Sequence, residues 1–149
     1  ISAAQHAAKV AALQDMQGIT ANVNEAREGL EEALDGVSMV LETLGEPNSG
    51  LREQGEVVRA LLVEVLQRHF TGPECQGNCR GILLSQRVGA PMARIAGEDG
   101  APSPNTRIMM DQARQAAETI LDDIRAVMDA DVAAFRTALR AAGYTPFGG

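Results

Sequence analysis

Two long stretches of this chain, roughly Ser2 to Leu44 and Pro104 to Ala142, repeat their apolar residues at the spacing of a single helix face. In the first, Met16, Ile19, Val23, Ala26, Leu30, Ala33, Val37, Val40 and Leu44 alternate three and four residues apart, the a/d seam of a coiled coil. Neither stretch alternates as a strand would, and no other segment does. At 1.5 Å per residue each predicts a helix of roughly 60 Å. A chain committed to two such helices is all-α, and its 149 residues are the size of one domain. The reading is a single helical-bundle domain over residues 1–149.

Helix 1 is predicted over residues 2–44. Ser2 and Gln5 form a capping-box start, and Gly45 followed by Pro47 is a stop signal. Helix 2, residues 49–70, starts near Asn48 or Ser49 and carries Leu51, Val58, Leu61, Leu62, Val65 and Leu66. Gly72-Pro73 and Gly77-Asn78 mark a loop from Thr71 to Cys79. Helix 3, residues 81–96, shows Leu84, Val88, Met92 and Ile95 on one face, with Pro91 inside it as an expected kink. Gly97 to Pro102 reads as a turn. Ser103 then caps helix 4, residues 104–142, with Pro104 at its first position and Gly143 at its end.

The seam of helix 4 runs Met110, Ala113, Ala117, Ile120, Ile124, Val127 and then slips to Met128, Val132, Phe135 and Leu139, which reads as a stutter. Two long and two short helices predict an antiparallel up-down-up-down four-helix bundle. Its two long outer helices would pair alone at one end as a two-helix stalk.

Composition narrows the partners. Aromatic residues make up 3%, so the interior must come from Ala, Leu, Val, Ile and Met on closely packed helices. Acidic residues outnumber basic ones by 20 to 13, and the net charge of −7 argues against nucleic acid and against an anionic membrane surface. No apolar run is long enough for a membrane span. The chain starts at Ile1 without an initiator Met and is read as a processed product or a piece of something longer.

Candidate chemistry is sparse. Cys75 and Cys79 stand in Cys-Gln-Gly-Asn-Cys, too rich in Gly and Asn for stable helix. The first reading is an intraloop disulfide in an oxidising compartment, the second two free thiols, and the third a zinc site with His69. Haem attachment is disfavoured because Arg80 follows the second Cys where His would be required.

Carboxylates crowd helix 1 (Glu25, Glu28, Glu31, Glu32, Asp35) and helix 4 (Glu118, Asp122, Asp123, Asp129, Asp131). A di-iron bundle would need Glu-x-x-His pairs, and Ala3 and Leu66 stand three before His6 and His69, so a solvated face is the better reading. Asp131, at the slip in the seam, is expected to face Lys9 or His6 across the stalk. Six Met residues (Met16, Met39, Met92, Met109, Met110, Met128) read as core filler, with a Met-lined groove as the alternative. Ser85, Ser103 and Thr106 offer hydroxyls without a recognisable base. The expectation is no catalytic residue, no cofactor and no metal.

The tail, Asp129-Ala-Asp-Val-Ala-Ala-Phe-Arg-Thr-Ala-Leu-Arg-Ala-Ala-Gly143-Tyr-Thr-Pro-Phe147, resembles the end of the C-terminal helical region of BNR-repeat or sortilin-like β-propeller glycosyl hydrolases. Two further stretches are similar to that family. The opening, Ile1-Ser2-Ala-Ala-Gln with Val-Ala-Ala-Leu13-Gln-Asp15, resembles its entry from a β-domain into the first helix. Gly97-Glu-Asp-Gly-Ala-Pro-Ser103 resembles its turn before the last helix. Leu84-Ser-Gln-Arg87 and Arg136 stand where the family carries Asn.

The resemblance implies a non-catalytic accessory domain of an exported propeller protein. Such a domain would pack against the parent's β-domains or a protein partner, or form a homodimer, and any glycosidase-like site would lie in the propeller. The alternative is a periplasmic ligand-sensing bundle of a receptor.

Overall fold

The computed structural model describes residues 1–45, 48–71 and 84–144, among which there are four helical runs and no strand. The protein is all-α. Helix α1 spans Ala3–Thr43 without a break. Helix α2, Ser49–Leu66, continues into a π-helical turn, Gln67–Thr71. Helix α3 is Leu84–Gly97. Helix α4, Pro104–Ala126, passes through a second π turn, Val127–Val132, into α5, Ala133–Ala141.

The ends follow their sequence signals. Ser2 and Gln5 exchange bonds, with Gln5 N–H donating to Ser2 Oγ (3.1 Å) and Ser2 N–H to Gln5 Oε1 (2.9 Å). At the far terminus Gly143 sits at φ +87°. Its N–H donates to Arg140 O and that of Tyr144 to Leu139 O, closing the last turn as a Schellman motif. Asn48 precedes α2 but makes no side-chain cap. Its amide instead donates to the Tyr144 hydroxyl at 2.6 Å.

The slip in the last seam has a definite cause. Val127 and Val132 are both buried, five residues apart, and the π turn between them absorbs the extra residue so that Phe135 and Leu139 stay inside. Pro91 lies within α3 and is fully buried.

The chain forms two compact units, Ile1–Glu25 with Gly72–Leu121, and Ala26–Thr71 with Asp122–Gly149. At 41 residues α1 is more than twice the length of α2 (18 residues) and about three times that of α3 (14 residues), so neither short helix covers more than part of it.

In the first unit the buried side chains include Ala12, Met16 and Val23 of α1, Leu84, Val88, Pro91 and Ile95 of α3, and Thr106, Met110, Ala113, Ala117 and Ile120 of α4. Gln5 lies beside Gly100, just before α4 begins, and Asp15, further along α1, bonds Arg114, further along α4. The two helices therefore run the same way. The short turn from Gly97 to Ser103 reverses α3 against α4, with Arg94 reaching Met109 across that hairpin.

In the second unit the interior is built from Leu30, Ala33, Val37, Leu41 and Leu44 with Val58, Leu62, Val65, Ile124, Val127, Val132, Phe135 and Leu139. Leu41 was not part of the seam read from sequence. Gly55 of α2 is wedged between Leu41 and Phe135, each of which would lie 2.8 Å from an added Cβ. Arg27 lies over Phe70 and Arg52 reaches Leu44 O, so α2 runs against α1. Gly55 beside Phe135 and Arg68 beside Asp123 set α2 against α4 and α5 as well.

The expected up-down-up-down order and its stalk are thus corrected. In each unit α1 and α4–α5 share one direction, and the third helix opposes both. The N-terminal part of α1 belongs with α3 and the first part of α4, not with the end of the last helix. The physical reason is that α2 and α3 cover different parts of α1, rather than doubling back over the same part.

Candidate functional site

Two polar clusters stand out, one in each unit. In the second unit, the π turn that ends α2 carries Arg68, His69 and Phe70. His69 Nε2 lies 2.7 Å from Asp123 Oδ2 of α4, and Arg68 Nη1 donates to the same oxygen at 3.4 Å. The other nitrogen of Arg68 bonds Glu64 one turn back. Phe70, edge-to-face with His69 at 6.5 Å between ring centroids, receives the Arg27 guanidinium 5.1 Å over its ring, while Arg27 Nε donates to Glu31 at 2.8 Å. Beside this clasp is a groove of about 240 Å³ lined by Leu61, Glu64, Val65 and Arg68 from α2 and by Asp123, Ala126, Val127 and Asp131.

A His–Asp pair can orient an imidazole for base catalysis when a hydroxyl or thiol stands at the ring's other side. The groove's lining supplies neither. With two donors on one carboxylate oxygen, Asp123 acts here as the anchor that ties the end of α2 to α4.

In the first unit, Glu98 holds the junction of α3 and α4. Its carboxylate accepts from Ser103 N–H (3.0 Å), Ser103 Oγ (2.9 Å) and Thr106 Oγ1 (2.7 Å), and Ser103 Oγ in turn accepts from Thr106 N–H. The Thr106 hydroxyl first, then the Ser103 amide and hydroxyl, hold the Glu98 carboxyl below its ordinary value. Thr106 itself is fully buried. From α1, Lys9 Nζ donates to Ala96 O (3.1 Å) and Glu98 O (2.8 Å), placing a cation on the carbonyls that α3 leaves free at its end. A second groove, of about 410 Å³, has Ala8, Ala11, Ala12, Pro102 and Met110 among its lining, with Asp15, Asp111 and Arg114 tied together along it.

The residues singled out from the sequence fall out as follows. Cys75 and Cys79 lie outside the described residues, as does the side chain of Ser85. His69 is paired with Asp123, and His6 is exposed. Lys9 is engaged at the end of α3 in the first unit, and Asp131 lines the groove with Arg68 in the second. The remaining carboxylates on helix 1 and helix 4 are mostly exposed. Among the described residues no three His, Cys, Asp or Glu side chains are placed to hold a metal ion. Met16 and Met110 are buried, Met39 is exposed, and Met92, Met109 and Met128 are half-buried; Met110 is among the lining of the 410 Å³ groove. Ser103 and Thr106 serve the cap.

The sequence reading missed Glu98 and Arg68 as structural partners, set Lys9 against Asp131 and placed Asp123 on a solvated face. Glu98 had a local signal, an acidic residue just ahead of a Ser-x-x-Thr helix start. The others meet across long sequence separations and had none.

No helix among the described residues is long and apolar enough to cross a membrane. No protein-family model matches the chain, no curated protein is significantly similar to it, and no solved structure matches its fold.

Proposed function

We propose that this chain is a non-catalytic helical accessory module, the C-terminal part of a larger exported β-propeller protein, working through its helix surfaces against the parent's β-domains or a protein partner. One observation carries the reading: the part-buried polar side chains that might have done chemistry are spent joining helices. Asp123 is taken by His69 and Arg68, Glu98 by Ser103 and Thr106, and Lys9 by the end of α3. Among the described residues what remains outward is mostly helix surface, with Met39, Val57 and Ile108 each more than half exposed. The resemblance of the tail and of the turn before α4 to the helical region of β-propeller glycosyl hydrolases supplies the parent. A glycosidase-like reaction would belong to that propeller.

The test is made in the parent polypeptide, with a protease site inserted directly before Ile1. After cleavage, co-elution of this chain with the upstream β-domain at micromolar concentration supports the proposal. Clean separation of the two overturns it, and an upstream membrane span in place of β-repeats would give the ligand-sensing reading instead.

A further inference from the structure

We infer that the Asp99–Gly100 peptide is a site of spontaneous backbone isomerisation to isoaspartate, lying in the junction that Glu98 fastens. The chain holds two Asp-Gly pairs, Asp35-Gly36 and Asp99-Gly100, in opposite surroundings. Gly36 is buried inside α1, where its N–H is committed to the carbonyl one turn back. Asp99 and Gly100 lie in the bend between α3 and α4. Asp99 is exposed, and among the described residues no acceptor is bonded to the Gly100 N–H. Gly also leaves the attacking nitrogen unhindered and the backbone free to reach the geometry required.

The chemistry needs only water. The Gly100 nitrogen loses its proton and bonds to Asp99 Cγ, whose hydroxyl leaves as water, giving a five-membered succinimide. Water then opens the ring. Attack at Cγ restores Asp99, whereas attack at the main-chain carbonyl breaks the original Asp99–Gly100 bond and leaves the chain running through the side-chain carbon. Nothing is oxidised or reduced, and one water leaves and one enters. The product carries one extra methylene in the main chain, between Glu98 and Ser103, and should therefore loosen the cap.

The intact folded chain is aged at 37 °C and neutral pH, then cleaved, and isoaspartate is located by electron-transfer fragmentation and counted by methyl transfer from S-adenosylmethionine with an isoaspartyl methyltransferase. The expected result is isoaspartate at residue 99 at least about tenfold above residue 35, since Gly36 reacts only after local opening of α1. Asp99→Glu, which cannot form the five-membered ring, should abolish the signal. Gly100→Ala should slow it, and that variant should fold, because its Cβ would meet only the Gln5 side chain at an ordinary 3.6 Å. Equal rates at the two sites, or isoaspartate at residue 99 only after denaturation, would overturn the inference.

Discussion

Glu98 shows how a single side chain organises a junction. Its carboxylate is held ionised by the Thr106 hydroxyl and by the Ser103 amide and hydroxyl, so its folded-state pKa lies below the ordinary 4.5. A depressed carboxyl contributes stability that is present above the unfolded-state value and lost as pH falls through the folded one. The melting temperature should therefore drop on acidification below about pH 4.5, and Glu98→Gln should flatten part of that drop while lowering stability at neutral pH. Thermal melts of the two proteins across this range make the check. An identical acid response in both would show that Glu98 contributes nothing to it. The cap itself was legible from Ser103 and Pro104. That Glu98 completes it depends on the chain bending back between Gly97 and Ser103, which no periodicity encodes.

At the scale of elements, the slip from Val127 to Met128 in the last seam was visible in the sequence, but its structural form was not. A stutter can be spread over several turns of a supercoil or taken up in one place. Here it is concentrated in the π turn Val127–Val132, with Val127 and Val132 both buried and Met128 left half-exposed. Deleting the exposed Ala130 should convert α4 and α5 into one regular helix while keeping Phe135 and Leu139 inside, because the spacing from Val127 to Val132 becomes four. Helical circular dichroism should be retained and the unfolding transition should stay cooperative. Collapse of the fold would instead mean that the π turn is required to place Asp123 and Asp131. The clasp between the two elements, His69 on Asp123, had no sequence signal, because its partners are separated by most of two helices and a loop.

At the scale of the whole molecule, α1 is one helix from Ala3 to Thr43 and supplies buried residues to both compact units. Met16 serves the first unit and Leu30 the second, and both are fully buried. Truncating either to Ala should cost roughly 2–5 kcal/mol in urea unfolding, from lost transfer energy and the cavity left behind. If the units unfold as one, the slope with urea stays that of the parent protein. A loss below about 0.5 kcal/mol at Leu30 would mean the seam is misassigned. A reduced slope in the Met16 variant would mean that the first unit melts separately.

By itself the sequence determined the helices: their number, their approximate ends, the capping residues at Ser2, Ser103 and Gly143, and most of the buried face of α1. Those features are local, since helix periodicity and cap chemistry are written within a turn or two of each residue. Only the tertiary structure decided that α1 and α4 run the same way, that α2 and α3 serve different units, and that Lys9, Glu98, His69 and Asp123 are clasps. An apolar stripe specifies that a face must be covered without specifying the direction of the helix that covers it. Direction was set by which residues fit together over long separations, as at Gly55, where only a residue without a side chain leaves room for Leu41 and Phe135.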